Sequence, residues 1–193
     1  LGGPESVPTE KPALQPQIME TERLELVMIT PDIYDQLFHN YSDAAIMNFL
    51  GLQTPEQLAT EKNNHAQGMT TYRVSFRLFL MREKATGLVI GRCGYHNWYR
   101  EHQRSELGYA LSDESKKQQG LMKEALTAII RHGFEEMQLN RIEAFVGPEN
   151  KPSLKLVQGF GFTREGTLRA HFHKDGIIYD SVCFSLLRNE YNG

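Results

Sequence analysis

The chain of 193 residues has little that would support disulfide, metal or membrane chemistry. It holds two cysteines, Cys93 and Cys183, and their spacing matches no zinc motif. They are expected to be reduced, buried thiols of a cytoplasmic protein. No apolar run approaches the roughly 18 residues that cross a bilayer, so no membrane partner is expected. No secretory signal is visible. Excess positive charge is missing too. The net charge of −3 and a pI of about 6.2 exclude a broad nucleic-acid surface, although a local basic pocket remains open. There is no G-x-x-x-x-G-K-[ST] loop. Gly159-Phe160-Gly161-Phe162-Thr163-Arg164 begins like a dinucleotide fingerprint, but it carries Arg164 in the last place and follows a helical pattern rather than a strand. There is no internal repeat.

What is present reads as one globular domain: 40% hydrophobic and 23% charged residues, on a chain long enough for a real core. Residues 1–17 hold four prolines and two glycines and read as a flexible leader, with the folded domain expected over 18–193. Leu24, Leu26 and Met28 alternate as a first strand. Thr30-Pro31-Asp32 and Thr54-Pro55-Glu56-Gln57 carry the capping residues of helix starts, the second with capping-box spacing. Residues 74–83, 88–98 and 103–112 read as three successive strands. A long amphipathic helix follows to about Gln138, with Met122, Ala125, Leu126, Ile129, Gly133 and Met137 on its apolar face. Residues 141–147 form a buried strand, a short helix begins near Asn150 and ends at Gly159 or Gly161, and a hairpin around Lys174-Asp175-Gly176 closes the chain. This order gives an α+β fold, with helices packed on a mostly antiparallel sheet.

The stretch KKQQGLMKEAL, Lys116 to Leu126, stands out. Lysines oppose the positive end of a helix dipole, so a cationic turn at a helix N-terminus suits a bound anion. A strand, a glycine-centred turn and a helix start also supply unpartnered N–H groups that bind phosphate. Lys116, Lys117 and Lys123 would attract a polyphosphate. A solvated lysine-rich turn without a ligand is the plain alternative.

With ETERLELVMIT, SELGYALSDESKKQQGLMKEAL, NKPSLKLVQGFGF and REGTLRAHFHKDGIIYDSVCFSLLRNEY in this order, the chain resembles the GCN5-related N-acetyltransferase (GNAT) superfamily, in its RimJ/RimL-like ribosomal-protein branch. The likeness spans about residues 19 to 190. It implies a three-layer α/β/α sandwich with a twisted sheet of about seven strands. The fourth and fifth of these, SELGYALS and RIEAFVG, splay apart to admit the pantetheine arm of acetyl-CoA. The family's pyrophosphate motif, Arg/Gln-x-x-Gly-x-Gly/Ala, falls on Lys117, Gln118, Gln119, Gly120, Leu121 and Met122, followed by Lys123; Lys117 and Met122 depart from it.

The implied reaction is acetyl transfer from acetyl-CoA to an amine, here a protein N-terminus. The alternatives are a small amine or antibiotic as acceptor, or a non-catalytic acyl-CoA sensor. An α-amine with a pKa near ~7.7–8 is roughly one-tenth neutral at pH 7, far more than a lysine at ~10.4. Glu106 is the candidate base, or an ordinary strand glutamate. Backbone N–H groups from Tyr109 through Ala110 to Leu111 are candidate oxyanion donors. Many relatives carry a thiolate-protonating tyrosine where this chain has Val157. The family's Asn-x-x-Ser instead matches Asn150 and Ser153, with Ser153 the donor to the thiolate and Asn150 the orienting residue; helix capping explains the same pair. His171 and His173 lack a third ligand, so no metal is expected, and they would line the acceptor groove. Tyr95, Trp98 and Tyr99 either line that groove or pack the sheet. Asp180 either meets the amine or makes a structural bond. The protein is expected to act as a monomer or homodimer.

Overall fold

The computed structural model describes residues 13–71 and 73–193. The expected leader over 1–17 lies mostly outside this range; within it, the Leu14 N–H donates to the Tyr41 hydroxyl at 2.7 Å. Among the described residues, eight strands form one sheet: β1 (Ile18–Glu20), β2 (Leu24–Ile29), β3 (Val74–Glu83), β4 (Val89–Tyr99), β5 (Arg104–Leu111), β6 (Arg141–Val146), β7 (Thr163–Lys174) and β8 (Ile177–Leu187), in the order β1-β2-β3-β4-β5-β6-β8-β7. The expected seven are all there. The eighth is the three-residue β1, too short to carry an alternating pattern. Five α-helices accompany them among the described residues: α1 (Pro31–Asn40), α2 (Asp43–Leu50), α3 (Pro55–Gln67), α4 (Leu121–Glu135) and α5 (Lys151–Gly159). The expected caps form. The Thr30 side chain accepts from the Ile33 amide, and Thr54 with Gln57 makes a complete capping box. Helix α2 was not legible from its short apolar run; Ser42 caps it and Gly51 ends it in the left-handed region.

Two cores make the sandwich. Helices α1–α3 cover one face through Tyr34, Leu37, Ile46, Leu50 and Leu58, against Val27, Ile29, Phe76 and Leu80. Helices α4 and α5 cover the other, where Ala125, Leu126, Ile129, Phe134 and Val157 meet Phe79, Tyr95, Ile142 and Phe184. Burying each large apolar side chain contributes roughly 1.5–3 kcal/mol. That burial holds a helix of fifteen residues that would be marginal alone.

The sheet is antiparallel except where β5 meets β6. Those two strands pair in parallel over Arg104↔Arg141, Ser105↔Ile142 and Glu106↔Glu143 only. Beyond Glu106, β5 stays on β4 as far as Gly91↔Leu111, while β6 follows β8 to Val146↔Val182. The strands part there, and these are the two strands expected to splay.

Candidate active site

A cleft of about 390 Å³ opens where β5 and β6 diverge, lined by Tyr109, Ala110, Leu111, Lys117, Gln118, Met122, Asn150, Pro152, Ser153 and Leu156. Eight of the residues singled out in the sequence therefore meet around one space, although they come from β5, the turn before α4, α4 itself and the start of α5. A second cavity of about 330 Å³ lies on the α1–α3 side and shares Ala110 and Leu111 with the first. The outer half of β5 is thus a wall between two hollows.

The turn has the form of an anion nest. Gln118 (φ 63°) and Gly120 (φ 75°) are left-handed, with Gln119 between them outside that region, so successive N–H groups converge. Gly120 is the N-cap of α4, and among the described residues no side chain caps the helix. Among the described residues, no backbone N–H from 118 to 123 donates to a protein acceptor, whereas the Gln119 side-chain amide donates to the Ser115 carbonyl at 2.8 Å. Gln119 and Gly120 belong to this turn, whereas the Leu121 side chain is buried in the core and anchors the helix start. Met122 lines the cleft and also packs on the core, so its departure from a small residue fills space at the cleft wall.

The lysines are less free than the sequence suggests. Lys116 pairs with Glu83 at 3.0 Å and Lys117 with Glu114 at 2.8 Å, leaving exposed Lys123 without a partner among the described residues. The cation nearest Gly120 is one the sequence reading missed. Arg23 on the β1–β2 turn donates from Nη1 to the Gln119 carbonyl at 2.9 Å and pairs through Nε with Glu124 at 2.8 Å. Its Nη2 would stand 3.6 Å from a Cβ on Gly120. The link spans 101 positions, which no local pattern reveals.

At the α5 side, both readings of Asn150 and Ser153 hold geometrically. Asn150 Oδ1 accepts from the Ser153 amide at 3.3 Å and caps the helix. The Ser153 hydroxyl remains free for the cleft, where it shares a hydrogen bond with the Tyr109 hydroxyl. Burial pushes the Tyr109 phenol above its ordinary value, partly offset by that bond. The sequence reading used only the backbone of Tyr109; its side chain supplies a phenol that Val157, only 1% exposed in the core, cannot. Met122, Leu111 and Leu156 give the cleft an apolar wall beside the nest. Together these residues fit a diphosphate with an apolar, amide-bearing arm.

Glu106 sits at the last paired position before the strands part. It does not line the cleft. Its carboxylate meets His96 Nε2 at 3.1 Å through Oε1 and accepts from Asn97 Nδ2 at 2.9 Å through Oε2. Burial raises its pKa, but the hydrogen bonds from His96 and Asn97 and the charges of His96 and His171 outweigh this and hold it below the ordinary carboxylate value. Nearby, Arg141 clamps Glu143 at 2.9 Å and Glu165 at 2.5 Å.

The remaining candidates take structural places. Tyr95 is fully buried and Trp98 nearly so. Tyr99 is covered by the Arg104 guanidinium at 4.4 Å. Asp180 accepts from the Ala170 amide at 2.7 Å. His171 bonds Ser181 at 2.9 Å and packs on Phe145. Asp35, His39 and His65, on α1 and α3, bring metal-capable atoms within 4.8 Å of one another but do not line the cleft.

The sequence profile of the acetyltransferase (GNAT) domain matches residues 23–163. The chain is 34% identical to the uncharacterized N-acetyltransferase p20 of Bacillus licheniformis over 92% of its own length and 99% of that protein's. It is 35% identical to the [ribosomal protein uS5]-alanine N-acetyltransferase of Escherichia coli over 63% of its length and 60% of that protein's. A dodecameric spermidine N-acetyltransferase from Vibrio cholerae superposes with a TM-score of 0.63 at 19% identity, over 90% of this chain and 98% of that one. With the profile covering most of its length and the splayed sheet in place, the chain belongs to the GNAT acetyltransferase family, enzymes that use acetyl-CoA as co-substrate.

Proposed function

We propose that the acceptor is the α-amine of a protein or peptide N-terminus. The observation that carries this reading is that the acids where β5 and β6 part are already engaged. An amine with a pKa of ~7.7–8 already supplies a neutral fraction and needs no free carboxylate to hold it, whereas an alkylammonium near ~10.4 does. A polyamine would want free carboxylates. The acids of this face are taken: Glu61 by Arg92, Glu106 by His96, and Glu143 and Glu165 by Arg141. The similarity to the Escherichia coli ribosomal-protein enzyme supports the same acceptor class.

In this reading the amides of 118–123, with Arg23 beside them, hold the diphosphate of acetyl-CoA. Tyr109, Ala110 and Leu111 present backbone N–H groups to the developing oxyanion. Ser153 donates to the departing sulfur, backed by Tyr109, and Asn150 fixes Ser153 through the helix cap. Release of free thiol from acetyl-CoA, measured with peptides of varied first residue, spermidine and an aminoglycoside, tests this. Peptide α-amines should be the efficient acceptors. Turnover with spermidine or the aminoglycoside alone would overturn the N-terminal reading.

A further inference from the structure

We propose that His96 is the general base of the acetyl transfer and that Glu106 acts through it as a positioning residue. The inference rests on the transfer reaction above and names the group that receives the amine's proton.

His96 on β4 stands opposite Glu106 on β5 in the sheet register. Its Nε2 faces Glu106 Oε1 at 3.1 Å. Because Glu106 is ionised, the proton of a neutral imidazole belongs on Nε2, where the carboxylate accepts it. Nδ1 is then the unprotonated nitrogen, and among the described residues it has no hydrogen-bond partner. This is the arrangement in which a carboxylate fixes the tautomer and orientation of a working histidine. Asn97, with φ at 48°, holds the second carboxylate oxygen and so fixes the carboxylate in turn.

The ring's location gives the arrangement a purpose. A Cβ on Gly108 would stand 2.8 Å from His96 Cε1 and 3.2 Å from Nδ1, so the imidazole edge that carries Nδ1 lies directly over Gly108. Gly108 is two residues past the last β5–β6 pair, where the strands part, and next to Tyr109 of the cleft. Any other residue at 108 would push the ring away. The His96 side chain is 42% exposed, leaving room for an incoming amine. The other charged groups of this face include Arg92 on β4 with Glu61 on α3, Arg104 on β5, which lies over Tyr99, Arg141 and Glu143 on β6, Glu165 on β7, and His171 on β7, whose charge reaches Glu106. Arg141, Glu143 and Glu165 satisfy one another, and His171 is bonded to Ser181.

The step balances. The amine nitrogen bonds to the thioester carbonyl carbon and its N–H proton passes to His96 Nδ1. The C–S bond breaks, the sulfur takes a proton from the Ser153–Tyr109 hydroxyl pair, and solvent exchange returns the imidazolium and the hydroxyl pair to their starting states.

The test compares wild type, His96→Gln, His96→Ala and Glu106→Gln with whichever amine the wild type acetylates, so a wrong acceptor class leaves the comparison intact. Coenzyme A affinity should stay within about two-fold, while kcat/KM falls about 10²-fold or more in both His96 variants. The acid limb of the wild-type kcat/KM profile should vanish in His96→Gln. Added imidazole should restore part of the rate of His96→Ala. Glu106→Gln should lower the rate less, and should have no further effect in the His96→Ala background. A His96→Ala enzyme that keeps the wild-type kcat/KM and its acid limb would overturn the proposal, and so would a Glu106→Gln loss that persists in full without His96.

Discussion

Gly133 lies inside α4, where glycine costs roughly 1 kcal/mol relative to alanine, so helix propensity alone predicts that Gly133→Ala stabilises the protein. Packing reverses the sign. A Cβ on Gly133 would stand 2.3 Å from the Tyr95 hydroxyl oxygen and 2.7 Å from its ring carbon Cζ. Tyr95 is fully buried on β4, and its hydroxyl donates to the Ile129 carbonyl at 2.8 Å. Strands β3 and β5 pair on either side of it, so the ring has no free direction of retreat. Losing the hydrogen bond and stranding a buried hydroxyl costs about 1–3 kcal/mol. Overpacking adds about 1–3 kcal/mol. Against the propensity gain, the net destabilisation is about 1–5 kcal/mol. Urea unfolding followed by circular dichroism and tryptophan fluorescence would read it as a lower midpoint at unchanged slope. Tyr95→Phe removes the oxygen that the new methyl meets, so the double variant should be less destabilised than the two single losses added. A Gly133→Ala protein as stable as wild type, or more so, would refute the packing argument.

Three further outcomes follow from the site and the core. Ser153→Ala and Tyr109→Phe should each lower kcat by about 10- to 100-fold, as expected for a charge-assisted hydrogen bond of roughly 1.5–3 kcal/mol, and the double variant should lose little more; steady-state kinetics on all three would show additive losses if the pair does not act as a unit. Gly120→Val should raise the KM for acetyl-CoA, because a β-branched residue resists the left-handed φ of 75° that shapes the nest; an unchanged KM would remove the nest from cofactor binding. Burial, reinforced by the Arg77 charge, lowers the His132 pKa to about 4 from the ordinary 6.5. The unfolded chain therefore takes up a proton that the native protein refuses between these values. Stability should be full above about pH 6.5 and fall by about 1–2 kcal/mol towards pH 4 through this residue, so His132→Gln should flatten that part of the urea-midpoint profile.

The elements legible in the sequence were those with a local chemical signature. Thr54 and Gln57 sit three apart and build their capping box without help from the rest of the chain, and the apolar content of β3 and β4 marks them as strands, although their burial does not alternate because helices cover both faces. The glycine-centred turn before α4 was legible for the same reason, since Gly120 must open the helix that the apolar residues after it define. Elements whose cause is distant were not legible. The Arg23–Glu124 pair joins the β1–β2 turn to α4 across 101 positions of the chain. Tyr109 reaches Ser153 only because two strands diverge, and His96 meets Glu106 because a hairpin register aligns them over Gly108. The lysines misled in the opposite direction: their charge is visible in the sequence, while the partners of Lys116 and Lys117, Glu83 and Glu114, are fixed by the fold.

The central claim is that the unpartnered amides around Gly120 grip the diphosphate of acetyl-CoA. Calorimetric titration of the wild-type protein with coenzyme A and with pantetheine, which lacks the diphosphate, tests it most directly. Two or more charge-assisted hydrogen bonds of roughly 1.5–3 kcal/mol each predict that coenzyme A binds at least about 100-fold more tightly than pantetheine. Equal affinities for the two, or no heat with millimolar coenzyme A, would contradict the account.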